Sequence, residues 1–221
     1  MRDQPFYFEI KDLMTQFVAA FNSVVINRYN KQRQRDDKKI KVSYVYSPKQ
    51  RIIQDYVNRS MHLTLPVIAV SIGNIARDNE RAFNKQYGSF YANNGIATSD
   101  YLPMPVPINI TVNMSLLTKF QTDMDQLLSN FVPYNNPYIV ISWKVPSAFV
   151  QVPQEIRTEV LWSENIAMSY PTDLPAEAPF RVVADTSFTI KGWLFKKNTD
   201  PAVNIFEITT NFYPVSGFDI I

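Results

Sequence analysis

The amino-acid sequence predicts an α+β fold, in which helices flank a mixed sheet, and three observations indicate this class. Apolar and polar residues alternate from Ile108 to Leu116, which is typical of a strand with one buried face. The period then changes to that of an amphipathic helix over residues 118–131. Alternation returns from Ile139 to Val145. This strand–helix–strand unit is the predicted core of the fold.

Capping and helix-breaking residues predict the bounds of the central helix. Thr118 and Gln121 have the spacing of a capping box, so the helix is expected to begin near Thr118. Pro133 and Pro137 are expected to end it, because proline cannot donate to the helical ladder. Such a helix spans about 21 Å at roughly 1.5 Å per residue, which also allows the two strands to run parallel. The candidate core residues are Phe120, Met124, Leu127, Leu128, Phe131, Trp143 and Trp193.

The first quarter of the chain predicts a helix, a charged hairpin and a second helix. An apolar stripe at helical spacing places the first helix at residues 6–22. The hairpin is formed by residues 24–29 and by the alternating residues 40–46. Its tip is basic, since residues 28–41 hold seven Lys or Arg and two Asp, a local charge of +5. Ser47 and Pro48 have the types preferred at N-cap and N1, so a second helix is expected there.

The rest of the chain predicts strands joined by long connections, all within one domain of residues 1–221. Strands are expected at residues 65–72, 180–195 and 204–213, and residues 155–170 are expected to form one long strand or a bent pair, with a turn-rich break at 172–179. Residues 74–107 predict an extended loop or arm, and residues 197–221 a C-terminal strand and tail. Residues 155–185 hold six acidic and two basic residues, a local charge of −4. Gly192 predicts a bulge or a close approach of another segment.

Composition excludes several classes of protein. The formal net charge is +2, so no overall field attracts nucleic acid or a membrane surface. The absence of cysteine excludes a disulfide scaffold and is consistent with a reducing cytoplasm. No apolar run approaches the ~20 residues that span a bilayer, and the N-terminus has no signal-peptide pattern. No membrane association is therefore expected.

No catalytic or cofactor-binding motif is present, so the sequence predicts a protein that is not an enzyme and needs no cofactor or metal. His62 is the single histidine and lacks the partners that a catalytic triad or a zinc site requires. Asp123 and Asp125 lie two residues apart on the central helix and point in different directions. They are therefore expected to be helix-surface charges rather than a metal pair.

The basic hairpin tip leaves three interpretations open. It fits a solvated loop, a contact with the acidic region of a neighbouring copy, or a contact with DNA phosphates. Direct DNA contact is favoured least, because aromatic residues are scarce at the tip and the chain is near-neutral. The candidate interface residues are Arg28, Lys31, Arg33, Arg35, Lys38, Lys39, Glu155, Glu159 and Glu164. A DNA-contacting module would use these cations together with Lys41.

Three short motifs follow in order within residues 105–134. A proline-led strand runs into Thr118-Lys119-Phe120, and Asp123-Met124 and Pro133-Tyr134 follow. This ordered set resembles the tail sheath stabiliser and completion proteins of T4-like contractile-tailed bacteriophages. The runs Tyr44–Lys49 and Phe188–Leu194 are also similar, so that the resemblance covers about residues 6–196.

The resemblance implies a tail-terminator-like fold and a structural, non-enzymatic role. Proteins of this family form a six-subunit ring at the head-proximal end of the tail, where they cap the sheath and join it to the neck. The implied partners are copies of itself, the tail sheath protein, the tail tube terminator and neck or head-completion proteins. The implied location is the virion tail, after assembly in the host cytoplasm. A tube terminator, a neck connector and a DNA-contacting module are the alternatives.

Overall fold

The computed structural model describes residues 7–22, 24–29, 35–57, 64–82, 88–92, 98–146, 155–170, 181–195 and 202–203. At residues 35–38, 88–92, 98–103 and 202–203 it describes the backbone path alone. The predictions for His62, for the turn-rich break at 172–179 and for a strand at 204–213 lie outside the described residues.

The described residues form three helices and twelve strands. The helices are α1 (Glu9–Ala20), α2 (Lys49–Val57) and α3 (Gln121–Tyr134). The strands are β1 (Val25–Tyr29), β2 (Arg35–Lys41), β3 (Ser43–Tyr46), β4 (Val67–Arg77), β5 (Gly88–Ala92), β6 (Thr98–Pro103), β7 (Val106–Thr118), β8 (Ile139–Lys144), β9 (Glu155–Trp162), β10 (Ala167–Ser169), β11 (Val182–Leu194) and β12 (Ala202–Val203).

The main sheet is mixed and has the order β3-β4-β7-β11-β9-β8, with β10 beside β11. Its longest ladder joins β7 and β11 from Thr118↔Val182 to Val106↔Leu194. Only β3 and β4 pair in parallel within this sheet; the other pairs are antiparallel. The predicted α+β class with a mixed sheet is confirmed.

The strands on either side of α3 do not run parallel, although the length of the helix allows it. β8 is antiparallel to β9, β9 to β11, and β11 to β7, so β7 and β8 run in opposite directions with two strands between them. A period-2 pattern identifies the buried face of a strand but not its neighbour in the sheet. The order of strands was therefore not accessible from the alternation alone.

Helix α3 begins and ends three residues later than predicted. Thr118 is the last residue of β7, and its hydroxyl donates to the carbonyl oxygen of Phe120 at 3.1 Å rather than capping a helix. Phe120 is the N-cap residue, in an extended conformation and with no side-chain cap. Pro133 lies within the last turn of the helix instead of ending it. The side-chain Nδ2 of Asn135 donates to the carbonyl oxygen of Phe131 at 2.8 Å, which satisfies one of the last helical carbonyls.

The hydrophobic core lies between α1, α3 and one face of the main sheet. Four of the candidate core residues are buried in it, Met124, Leu127, Phe131 and Trp143. Leu128 and Trp193 are partly buried and pack against it. The prediction for Phe120 is wrong: 47% of the residue is exposed, because it precedes the first helical turn and does not share the buried face of α3.

Aromatic rings join α1, α3 and the sheet at the centre of this core. Phe21 lies 5.2 Å from Phe17, 5.7 Å from Phe131 and 5.4 Å from Phe188, measured between ring centroids. These separations are in the range in which aromatic pairs attract each other beyond their area burial. A β-carbon on Gly192 would come within 2.8 Å of Leu13 Cδ1, so the predicted close approach at this glycine is found, and α1 is its cause.

The alternating residues 40–46 form two strands instead of one. β1 and β2 make the predicted hairpin as a two-stranded antiparallel sheet, and β3 leaves it to join the main sheet beside β4. Val42, between β2 and β3, is buried where the chain changes sheet. The second helix begins at Lys49, close to the prediction, but the Ser47 hydroxyl oxygen is buried without a hydrogen-bond partner among the described residues, so it does not cap α2.

The segment 74–107, expected to be an extended loop or arm, contains secondary structure. β4 extends as far as Arg77, and β7 begins at Val106. Between them β5 and β6 pair antiparallel, and β12 adds to β6 as a third strand. We call this three-stranded sheet β5-β6-β12 the arm. The sequence shows no alternation here that would have predicted these strands.

Candidate functional site: the assembly surfaces

The basic hairpin β1–β2 is fixed to helix α3 at its root. Ile26 is buried, and the backbone nitrogen of Asn27 donates to Gln126 Oε1 at 2.8 Å. Beside it, Arg28 Nη1 donates to Asp123 Oδ1 at 2.6 Å. We call this Arg28–Asp123 pair the hairpin clamp. The root of the hairpin therefore has a defined orientation on the body of the subunit.

Asp123 is not the surface charge that the sequence predicts, since only 4% of it is exposed. Burial raises the pKa of Asp123, and the positive charge and hydrogen bond of Arg28 oppose this shift. The guanidinium carbon of Arg28 also lies 5.2 Å from the ring centroid of Phe120. The exposed Phe120 thus serves as a platform for Arg28 rather than as a core residue.

A signal for this pair was present in the sequence. Asp123 lies four residues before Leu127 and eight before Phe131, so it falls on the apolar stripe of α3. A carboxylate at such a position needs a cation or several hydrogen bonds, because an unpaired buried charge is costly. The candidate interface residue Arg28 supplies that cation and is therefore engaged within the subunit.

The other predicted cations of the hairpin occupy different positions. Lys39 lies on β2 opposite Asn27, and both Lys39 and Lys41 are exposed. Arg35 and Lys38 lie on the backbone path of β2. Lys31 and Arg33 lie outside the described residues. Exposed lysines on a clamped hairpin present positive charge at a defined place on the surface.

The predicted acidic residues lie on and beside β9, near one edge of the main sheet. Glu155 and Glu159 are exposed on β9, and Glu164 is exposed in the turn that follows it. Glu159 Oε2 lies 3.8 Å from Lys191 Nζ, and the exposed Arg157 lies between the two glutamates along the strand. The acidic surface is therefore interrupted by cations. In the described part of the chain, no ion pair joins it to the hairpin.

The arm is held at its base by a second arginine–aspartate pair, Arg81 and Asp78, which we call the arm clamp. Arg81 Nε donates to Asp78 Oδ2 at 2.6 Å, and the backbone nitrogens of Glu80 and Arg81 donate to Asp78 Oδ1 at 3.0 and 3.3 Å. The hydrogen bond from the Arg81 side chain lowers the pKa of Asp78 against the effect of burial, and the two backbone bonds add to it.

The arm clamp joins the two ends of the connection that carries β5 and β6. Arg81 Nη2 donates to the carbonyl oxygen of Ile108 at 2.8 Å and to Asn109 Oδ1 at 3.1 Å, and its guanidinium lies 5.1 Å from the ring centroid of Trp193. The backbone nitrogen of Asp78 donates to the carbonyl oxygen of Pro107 at 3.0 Å. Sequence reasoning missed this clamp, because its partners lie almost 30 residues apart.

The polar face of the sheet next to α2 holds a cleft of about 380 Å³. At its centre Asp185 accepts from Lys49 Nζ and from the Ser115 hydroxyl, each at 2.5 Å. The ion pair and the hydrogen bond join Lys49 of α2 to Asp185 of β11 and Ser115 of β7, so this arrangement stabilises the packing of α2 on the sheet.

The described residues contain no group of three or more His, Cys, Asp or Glu side chains that could hold a metal ion. None of the helices described is long and apolar enough to cross a membrane.

The hairpin and the arm are thus each held at their base by an arginine–aspartate pair. The chain belongs to the T4-like Myoviridae tail sheath stabiliser family, whose model matches residues 6–218. The resemblance inferred from the ordered motifs is confirmed.

Among solved structures, the chain is similar to the sheath/tube terminator of an extracellular contractile injection system, PVC, determined by cryo-electron microscopy in the extended state. The sequences are 11% identical and the TM-score is 0.42. The match covers 98% of this chain and 66% of the terminator, so this chain spans just under two thirds of that protein's length. No curated protein matches the chain.

Proposed function

We propose that this protein is a structural, non-enzymatic component of a contractile phage tail, and that six copies form a ring that terminates and stabilises the head-proximal end of the tail. The observation that carries the proposal is membership of the tail sheath stabiliser family over residues 6–218. In this proposal residues 1–221 act as one tail-terminator-like domain. The ring caps the sheath and the tube and joins them to the neck.

The proposed partners are other copies of the chain, the tail sheath protein, the tail tube terminator and neck or head-completion proteins. Assembly takes place in the host cytoplasm, and the mature location is the virion tail. A ring requires heterologous contacts, in which one patch meets a different patch on the next copy. The exposed lysines of the hairpin and the acidic residues beside β9 are two such patches of opposite sign. The clamps support this proposal because they fix the direction in which hairpin and arm project.

The experiment that tests the proposal combines the mass of the purified protein in solution with negative-stain images of the same sample. We expect six-subunit rings with a central hole, either in the free protein or after addition of assembled sheath and tube. A protein that stays monomeric and binds neither sheath nor tube would overturn the proposal.

Competition separates the two structural alternatives on the same fold. When sheath ends and tube ends compete for the protein, a sheath stabiliser should bind the sheath ends, whereas a tube terminator should bind the tube ends. A neck connector would bind head-completion proteins and neither kind of tail end.

The DNA-contacting alternative is weakened by the hairpin clamp, because Arg28 is paired with Asp123 and is not free to neutralise a phosphate. A DNA-contacting module predicts an affinity that falls steeply with salt and is lost when the tip cations are replaced by serine. Binding that does not respond to salt would exclude it.

A further inference from the structure

A cleft of about 350 Å³ lies between the C-terminal end of α3 and the turn that follows β9. It is lined by Val132 and Pro133 of α3, by Trp162 at the end of β9 and by Glu164 in the turn. At roughly 30 Å³ per water molecule, a cleft of this size holds on the order of ten waters. One long side chain with a polar head group therefore fits into it.

The buried side chain of Asn135, which also lines the cleft, carries an acceptor that has no donor. Only 2% of Asn135 is exposed, and its Nδ2 donates to the carbonyl oxygen of Phe131 at 2.8 Å. This bond sets the orientation of the amide group, so Oδ1 is the atom left for the cleft. Among the described residues Oδ1 has no hydrogen-bond partner. Such an acceptor costs free energy, and a donor that enters the cleft would supply the missing bond.

The C-terminal end of α3 adds negative potential at the same place. The helix has 14 residues, and its last turn contains no basic residue. The aligned peptide dipoles of a helix give its C-terminus a partial negative charge, which a cation near the last turn stabilises. Asn136 and Pro137 follow the helix directly and line the cleft together with Asn135. A cation bound in the cleft would therefore lie where α3 has none of its own.

Glu164 adds a full negative charge. Its φ is 58°, in the left-handed region that residues other than glycine seldom adopt. Bonds on both sides hold the turn: the Ser163 backbone nitrogen donates to the carbonyl oxygen of Ser187 at 3.0 Å. The Thr186 hydroxyl donates to the carbonyl oxygen of Asn165 at 2.8 Å. Glu164 is exposed and takes part in no ion pair within the described residues, so its carboxylate is available to a cation in the cleft.

The indole ring of Trp162 indicates which cation fits. Its Nε1 donates to Thr186 Oγ1 at 2.7 Å, and its ring centroid lies 6.2 Å from that of Phe131, so the ring is fixed in position. A guanidinium group is planar and stacks on aromatic rings, and its several N–H donors can serve an amide oxygen and a carboxylate together. The ammonium group of lysine is a compact point charge and makes no such planar contact. The cleft thus suits arginine better than lysine.

The surroundings of the cleft indicate that the arginine belongs to a protein. Val132, Tyr134 and Tyr138 are exposed at the end of α3 and directly after it. Exposed tyrosines around a pocket that takes an arginine are typical of protein–protein interfaces. We propose that this cleft binds one arginine side chain of a neighbouring protein chain, with the guanidinium group at the Glu164 carboxylate, Asn135 Oδ1 and the ring of Trp162. The inference rests on the proposed function in that the neighbouring chain is another component of the tail.

A titration with a small arginine derivative tests the specificity of the cleft. The protein, diluted until it is monomeric, carries fluorotryptophan at its three tryptophans, and Trp162→Phe assigns the fluorine NMR signal of residue 162. We expect N-acetylarginine amide to shift this signal and the uncharged N-acetylcitrulline amide to leave it unchanged. Glu164→Gln should weaken binding about fivefold, as loss of one exposed ion pair does. Glu155→Gln is the matched control and should bind normally, because Glu155 is exposed but does not line the cleft.

A second experiment tests the role of the cleft in assembly. Glu164→Lys places a positive charge in the cleft, so we expect ring formation, or binding to sheath and tube, to be lost. Asp125→Lys is the control, since it makes the same change of charge at an exposed position of α3 outside the cleft. Loss of rings would identify the arginine as one of a second copy, and loss of sheath or tube binding alone as one of a tail partner.

Two results would overturn the inference while the proposed function stands. One is an equal response of the residue 162 signal to the arginine and citrulline derivatives. The other is assembly of Glu164→Lys that matches assembly of Asp125→Lys. Failure of the unsubstituted protein to form rings or to bind sheath and tube would instead remove the proposed function, whereas selective binding of the arginine derivative would still support the cleft as an arginine site.

Discussion

The two clamps use the same pair of residue types, arginine and aspartate, but they place the aspartate in different electrostatic conditions. Asp123 accepts a hydrogen bond from Arg28, and burial is the dominant effect, so its pKa is raised. Asp78 accepts hydrogen bonds from the Arg81 side chain and from two backbone nitrogens, and its pKa is lowered. The balance between burial and hydrogen-bond donors thus decides whether the charged form of each aspartate is stabilised or penalised.

This difference has a structural origin. Asp78 follows β4 directly and starts a turn, where free backbone N–H groups are available to its side chain. Asp123 lies in the first turn of α3, and its side chain points towards the hairpin instead of back to the helix N-terminus. The hairpin clamp therefore depends on a single partner residue, whereas the arm clamp is supported from several directions.

The largest effect on stability is expected in the core beneath the hairpin clamp. Met124 is fully buried, so Met124→Ala should lower the free energy of unfolding by about 2–5 kcal/mol. Phe120→Ala is the matched control, because its ring is half exposed and packs against Arg28 instead of the core. Urea melts of both variants test this expectation. Equal losses would mean that Phe120 belongs to the core after all.

Removal of the arginines should affect the two clamps unequally. Arg28→Ala leaves the buried Asp123 without its cation, and we expect a loss of about 1–3 kcal/mol in the free energy of unfolding. Arg81→Ala should cost less, because Asp78 keeps its two backbone donors. Hydrogen exchange should increase in β1 and β2 for the first variant and in β5 and β6 for the second. Arg28→Lys and Arg81→Lys are the controls, and exchange that rises uniformly in either alanine variant would contradict local clamping.

The two clamps should also respond to pH with opposite signs. Both carboxyl groups have an ordinary pKa of 3.8. Because the pKa of Asp123 is raised on folding, its contribution to stability is present below 3.8 and is lost as pH rises through the folded-state value. The pKa of Asp78 is lowered, so its contribution is present above 3.8 and is lost as pH falls through the folded-state value.

Melts between pH 3 and pH 7 can measure this difference, with Asp123→Asn and Asp78→Asn as the variants. As pH falls, the free energy of unfolding of the unsubstituted protein should rise relative to that of Asp123→Asn. It should fall relative to that of Asp78→Asn. For one titrating group, the difference in the free energy of unfolding can change by at most about 1.4 kcal/mol per pH unit. Slopes of the same sign for both variants would show that the two aspartates do not differ in this way.

The sequence predicted those parts of the fold in which one face of an element is buried. β7, β11 and α3 contact the core, so the periods of their apolar residues match their structures. The strands β5 and β6 pair through their backbones in a stretch without alternation, and no periodicity could have predicted them. The direction of β8 was equally inaccessible, because alternation does not specify which strand lies next to which.

The candidate site was predicted in its composition but not in its contacts. Arg28 was correctly singled out as a cation of the hairpin, yet its partner Asp123 lies 95 positions away and was assigned to the helix surface. The arm clamp combines residues from the turn after β4 with residues from β7 and β11, which only the fold brings together. Long-range polar contacts of this kind leave no periodic trace in a sequence.

The smallest effect on stability is expected at the exposed lysines of β2, which take no part in either clamp. Lys39 and Lys41 are exposed on β2, so the double variant Lys39→Glu/Lys41→Glu should change the free energy of unfolding by no more than about 0.5 kcal/mol. Ring formation should nevertheless weaken if the hairpin meets an acidic patch on the next copy, since the variant places like charges opposite each other. Reversal of Glu155 and Glu159 to lysine in the same chain should restore assembly. Normal rings from the lysine-to-glutamate variant would instead show that these two lysines are only solvated charges, and the hairpin clamp beside them would then serve only the stability of the subunit.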